Sequence, residues 1–183
     1  MTGEQATSPG RVTEILEQRA AALAQPLAEP EPGDALEVLV MRFGSERYGL
    51  ETHAATEVVI GAVPTAIPGA PRSWQGIVNI RGTLYPVLDL RSHLSLPAAE
   101  VPGAPVGVVL ARSYAGLTIG IALEQPPELL RIPRRALRPA AAGRASLGRI
   151  GGVLRTVTDE LITLLDFELL IADPRLTPQE ARA

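Results

Sequence analysis

From Leu36 to Leu165 the chain is a succession of short runs of Val, Ile, Leu and Thr, most of them closed by Gly, Pro, Asn or Ser well before helix length. No other feature constrains the fold as strongly. Short β-branched runs bounded by turn residues read as strands. About ten of them with few helices between imply an all-β body of small barrels or a sandwich. The runs are Leu36–Phe43, Arg47–Leu50, Val58–Ile60, Ile77–Ile80, Leu84–Leu88, Val106–Ala111, Leu117–Leu123, Leu129–Ile132, Gly152–Val157 and Leu161–Leu165. Between the second and third, Glu51–Glu57 is predicted to make one or two helical turns. Gly61–Arg72 is a loop punctuated by Pro64, Pro68 and Pro71.

An internal similarity divides this body in two. With Asp89 set over Asp166, Leu84-Tyr85-Pro86-Val87-Leu88 falls over Leu161-Ile162-Thr163-Leu164-Leu165. Each aspartate is followed by an apolar, helix-like piece, Leu90-Arg91-Ser92-His93-Leu94 or Phe167-Glu168-Leu169-Leu170. An aspartate there can accept a backbone N–H and cap the helix. The pattern predicts two related β-lobes, each closing with a strand that runs into a short helix.

Ahead of the body lies a different texture. Arg11–Ala24 carries Val12, Ile15, Leu16, Arg19 and Leu23 at helical spacing, and Pro26 stops it. A helix this short is marginal in isolation, so its apolar stripe is expected to dock on this chain or on another. Gln25–Asp34 is proline-rich and acidic and reads as an extended linker. The expected organisation is therefore a tail, helix and linker over 1–34, a β domain over 35–173 and a C-terminal tail over 174–183.

The side chains that catalysis needs are scarce. The sequence has no cysteine, and all 17 of its basic residues are arginine. Disulfides, thiolate metal sites, cysteine nucleophiles, Schiff-base lysines and P-loop lysines are thereby excluded. His53 and His93 show no metal-ligand spacing, and both are expected at the surface. Asp89, Glu124, Asp159 and Asp166 are scattered singly. No cofactor or metal is expected. A net charge of −3 and 3% aromatics argue against a nucleic-acid binder. No apolar run reaches membrane-spanning length, no export signal is visible at Met1–Gln5, and a cytoplasmic protein is expected. Arg131–Arg155 contains seven arginines and no acid, which suits either a solvated loop or an acidic partner.

Trp74–Arg91 is the most informative stretch. Physically it is a strand, a tight turn at Arg81-Gly82, a second strand containing Pro86, and a capped helix start. It also resembles the signature of the CheW-like domain, the adaptor module of bacterial chemosensory arrays: an apolar G-x-x-N-apolar-R-G hairpin followed by P-apolar-apolar-D-L-R. Here these are Gly76, Asn79, Arg81 and Gly82, then Pro86, Asp89, Leu90 and Arg91. The resemblance extends from about Leu36 to Ile171. It implies two SH3-like five-stranded β-barrels sharing an apolar interface and doing no chemistry. It further implies a bridge between the regulatory domain of a CheA-type histidine kinase and a chemoreceptor's cytoplasmic tip, hence recruitment to membrane-associated receptor arrays without insertion in the membrane.

Carried onto this sequence, the resemblance implies partner binding by Arg81, by Ala55 and Glu57 at a groove-facing helical position, and by Leu129 and Leu130 on a groove-side strand. Arg81 is open to two readings, a rim anchor for a partner or an arginine that fixes its turn through backbone carbonyls. Asn79 and Gly82 read as turn-makers, and Asp89 and Asp166 as caps. Two segments depart from the family pattern. Thr52-His53-Ala54-Ala55 stands where larger aliphatics are usual, and Glu124-Gln125-Pro126-Pro127 replaces a flexible turn. Both fall on the receptor side. The other readings are a CheW-like module in a different signalling system, docking a regulator through its N-terminal helix or arginine-rich segment, and a β-barrel enzyme with a carboxylate pair.

Overall fold

The computed structural model describes residues 34–97, 103–138, 150–155 (as backbone) and 161–176. The N-terminal amphipathic helix, much of the arginine-rich segment and Asp159 lie outside the described residues. Eleven strands are described: β1 (Ala35–Phe43), β2 (Glu46–Glu51), β3 (Ala55–Ile60), β4 (Trp74–Ile80), β5 (Thr83–Leu88), β6 (Gly107–Arg112), β7 (Thr118–Leu123), β8 (Glu128–Pro133), β9 (Leu137–Arg138), β10 (Ile150–Arg155) and β11 (Leu161–Leu165). Single helical turns follow β5 and β11, α1 (Leu90–His93) and α2 (Phe167–Ile171). Every expected strand is present, with β9 as a two-residue addition.

One expected element is corrected. Glu51–Glu57 is not helical: Glu51 ends β2, Thr52–Ala54 turn, and Ala55, Thr56 and Glu57 open β3. The segment pairs with β6, Ala55 opposite Ala111 and Glu57 opposite Leu110 across a bulge, and this non-local ladder overrides local helical preference.

The strands form two sheets, ordered β8-β1-β2-β11-β10-β9 and β3-β6-β7-β5-β4. The two halves are equivalent, but they are interleaved. Hairpin β1–β2 belongs to the first sheet, whereas β3, β4 and β5, which follow it, belong to the second. Reciprocally, hairpin β6–β7 belongs to the second sheet while β8 to β11 return to the first. Each lobe is therefore a hairpin from one half completed by strands from the other. The parallel pairings repeat the relationship: Leu164 lies opposite Gly49, and Val87 opposite Gly120.

Three apolar clusters follow from strand alternation. In β1, Leu39, Met41 and Phe43 face the other sheet, while Val38 and Val40 face into their own lobe. In β6, Val109 and Ala111 face the interface, while Val108 and Leu110 face into the second lobe. Strands buried on both faces read as continuous apolar runs, which is why they were so visible in the sequence. The central cluster, drawn from both sheets and both helical turns, is the largest of the three. Two glycines permit the close approach inside each lobe. A Cβ on Gly49 would lie 2.5 Å from Val38 Cγ1, and one on Gly120 would lie 2.6 Å from Val108 Cγ1.

Candidate partner-binding site

The sharpest local geometry is the β4–β5 turn. Ile80 pairs with Thr83, leaving Arg81 (φ 53°) and Gly82 (φ 87°) as a two-residue loop with positive φ at both positions. Such loops match the twist of a hairpin. Asn79 Oδ1 accepts the Gly82 N–H at 2.9 Å. An arginine at φ > 0 is a departure from the usual Asn or Gly and carries a backbone cost.

What Arg81 does from that position was not legible in the sequence. Its Nη2 and Nη1 donate to the two carboxylate oxygens of Glu57, at 2.7 and 3.1 Å. Glu57 is on β3, the edge of the sheet opposite to β4, so the pair closes the curled sheet edge to edge. The guanidinium does this while its side chain stays 79% exposed. Val58 and Ile60, which follow Glu57, and Leu84, beyond the turn, are exposed aliphatics. By strand alternation Val58 and Ile60 lie on the face of β3 opposite to Glu57.

The other sequence-chosen residues fall elsewhere. Ala55 is half-buried at the start of β3, against the central cluster. Leu129 is exposed on β8, and Leu130 packs on the inner cluster of the first lobe. Those two residues are on the other sheet from Arg81 and Glu57, although β8 and β3 are equivalent edge strands of the two sheets. Asp89 accepts the Ser92 N–H, and Asp166 accepts the Leu169 N–H, each at 3.0 Å. Each aspartate is held at the start of its helical turn, α1 or α2.

Two grooves related by the internal equivalence flank the interface. The first, about 420 Å³, has Leu50, Ala54, Leu165 and Phe167 among the residues lining it. Along its side, His53 stacks on Tyr114 with centroids 5.8 Å apart, and Glu168 accepts the Tyr114 N–H at 2.8 Å. The second, about 790 Å³, includes Phe43, Asp89, Arg91, Leu123 and Glu124. There Arg91 occupies the place of Glu168, and its Nε and Nη2 donate to Glu124 at 2.5 and 2.7 Å. Arg91 also donates to the Pro97 carbonyl. The Glu124 hydrogen bonds, the foremost cause, hold its pKa above the ordinary arginine value. The departure at Glu124 thus has a partner of its own in this chain.

His93 corrects the expectation of a surface position. It is fully buried in α1, neither ring nitrogen makes a hydrogen bond, and the Asp173 carboxylate lies 3.4 Å from Nε2. Burial and then nearby Arg175 push its pKa down to about 4. Asp173 does not reverse this, because its carboxylate already receives Arg175 at 3.2–3.4 Å. Packing also continues past the expected boundary at Asp173: Leu176 is buried, and its carbonyl accepts the Trp74 indole N–H at 3.0 Å. Among the described residues no group of three His, Cys, Asp or Glu side chains could hold a metal ion, and no helix is long and apolar enough to cross a membrane.

Comparison with known proteins agrees with this geometry. The scaffolding protein TtCheW from Thermoanaerobacter tengcongensis superimposes with a TM-score of 0.66 at 20% identity, over 80% of this chain and 98% of that one. Protein FrzA of Myxococcus xanthus is 30% identical over 142 residues, 76% of this chain and 87% of that protein. Chemotaxis protein CheW of Klebsiella aerogenes is 24% identical over 142 residues, covering 76% and 84%. The family model described as the CheW-like domain matches residues 37–175. With two interleaved SH3-like lobes and the Asn79-Ile80-Arg81-Gly82 turn in place, this chain belongs to the CheW-like domain family.

Proposed function

We propose that this chain is a non-catalytic coupling adaptor that docks the regulatory domain of a CheA-type histidine kinase and brings it to the cytoplasmic tip of a chemoreceptor. The observation that carries the reading is the Arg81–Glu57 pair, held on rigid β-structure whose strands β3 and β5 also expose Val58, Ile60 and Leu84. An exposed, fixed charge pair on a lobe that also exposes aliphatic side chains suits a specific but reversible protein interface. Arg81 and Glu57 act at a contact shared by the kinase and receptor sides, with Ala55 behind them. Leu129 and Leu130 contribute from the second edge strand, and the groove beside His53 and Tyr114 offers a receptor helix an apolar floor. Asn79, Gly82, Asp89 and Asp166 hold the turns and helix starts that present these groups. The functional unit is residues 35–173 with Pro174–Leu176 packed on it, and it works in the cytoplasm against membrane-associated arrays.

The test is direct binding of the purified chain to the regulatory domain of its cognate CheA-type kinase. Saturable binding at micromolar concentration is expected. No binding at high micromolar concentration overturns the proposal.

A further inference from the structure

The two grooves beside the interface are equivalent by topology but unlike in chemistry. Tyr114, in the turn between β6 and β7, lines the first groove and is 83% exposed. Three contacts nevertheless hold it in place. Its ring stacks on His53 at an interplanar angle of 13°, its hydroxyl lies 3.1 Å from His53 Nε2, and its N–H donates to Glu168 on α2. His53 Nδ1 in turn faces Glu51 Oε2 at 3.4 Å. With the imidazole proton on Nδ1, Nε2 accepts the phenol O–H, and the row Glu51–His53–Tyr114–Glu168 joins β2 to α2 along the groove.

The row is also acidic. Glu51, Asp166 and Glu168 line the groove, and Arg112 is the one arginine among the described lining residues. Arg112 makes no ion pair with these acids, and Glu168 meets no cation among the described residues. The second groove differs at both points. Its hairpin turn, Gly44-Ser45, carries no ring, and Arg91 stands in the place of Glu168, already engaged by Glu124 and the Pro97 carbonyl. An exposed aromatic ring held rigidly beside an apolar floor makes a strong anchor for a partner, because it buries a large area with few rotamers to lose. The face of a tyrosine ring also attracts a cation, and Glu168 beside it favours the same sign.

We propose that Tyr114 anchors the helix this groove accepts, and that the helix sets an arginine or lysine against the tyrosine ring and Glu168. Its apolar side chains then lie over Leu50, Ala54, Leu165 and Phe167. This rests on the receptor reading given above: the occupant is a chemoreceptor's cytoplasmic helix. To that reading it adds the residue that selects the helix and the sign of the charge beside the helix's apolar stripe. A helix with an acid at that place is rejected, because Glu51, Asp166 and Glu168 repel it.

The test measures binding of the full chain and its variants to the purified cytoplasmic hairpin of a cognate chemoreceptor, with binding to the kinase regulatory domain alongside. Tyr114→Phe keeps the ring and is expected to stay within about threefold of the parent. Tyr114→Leu keeps apolar bulk without a π face and should weaken hairpin binding about fivefold. Tyr114→Ala should weaken it about tenfold or more. Glu168→Gln still accepts the Tyr114 N–H, so a loss of about threefold with a shallower salt dependence reports its charge alone. All four variants melt within a few degrees of the parent and bind the kinase domain as the parent does. Parent-level hairpin binding by either Tyr114→Leu or Glu168→Gln overturns this inference and leaves the receptor reading standing. Equal losses toward hairpin and kinase domain overturn it too, as does a Tyr114→Phe loss as large as that of Tyr114→Leu. Failure of the parent itself to bind the hairpin overturns the receptor reading, and the helix named here with it.

Discussion

Arg81 and Glu57 join opposite edges of one sheet. The guanidinium sits in a two-residue turn between β4 and β5, the carboxylate on β3, and both carboxylate oxygens are engaged. The ion pair is highly exposed on the arginine side, so water screens it and its share of folding stability is at most about 1 kcal/mol. Under the proposed docking role, its geometry matters more than its energy.

The first prediction concerns that pair. Arg81→Ala leaves the melting temperature within a few degrees of the parent but weakens binding to the kinase regulatory domain about tenfold, or 1.4 kcal/mol. Arg81→Gly removes the same pair while easing the positive φ, and it is expected to melt at or above Arg81→Ala with the same binding defect. A collapse of stability in both variants would assign Arg81 to the fold alone.

Within the lobes, Gly49→Ala is predicted to destabilise by about 1–3 kcal/mol, because its methyl group collides with Val38 and crowds Ile162. Val38→Ala in the same chain opens room and recovers part of the loss. Gly120→Ala with Val108→Ala repeats the pattern in the second lobe. Denaturant unfolding of the single and double variants measures both cycles.

The third prediction is a pH dependence. His93 is neutral in the folded protein, with its pKa held at about 4 against 6.5 for a free imidazole. The unfolded chain binds the proton more readily, so this contribution is complete above about pH 6.5 and is lost progressively as pH falls toward 4. The loss is on the order of 3 kcal/mol. His93→Leu should flatten the stability curve in that window, as read by unfolding free energies between pH 7 and 4. An unchanged slope would show that other groups control it.

The C-terminal contact has its own reporter. Trp74 is the sole tryptophan, and its indole donates to the Leu176 carbonyl. Removal of residues 174–183 takes away that acceptor and the buried Leu176 side chain, costing about 2–3 kcal/mol. Tryptophan emission should shift to the red in the shortened chain while the folded state is retained at neutral pH.

Legibility in the sequence followed locality. The Arg81-Gly82 turn, the two capping aspartates and the strands buried on both faces depend on neighbours a few residues away, and all could be read directly. Ala55–Glu57 was misread because its conformation is set by pairing with β6, some fifty residues on. The Glu57–Arg81 bond and the burial of His93 are likewise products of chain crossing. One signal for His93 was nevertheless present. The alignment of Asp89 with Asp166 sets His93 over Leu170, a fully buried position, so the repeat already marked that histidine as interior.

The interleaving of the halves has a mechanical consequence. The molecule is arranged like a hairpin-exchanged dimer joined into one polypeptide, with β1–β2 and β6–β7 as the exchanged hairpins. A load applied to either lobe is carried into the other by two separate backbones and by the shared apolar centre. Hinge-like motion between the lobes is therefore suppressed, and surfaces on the two lobes are kept at a fixed spacing and angle.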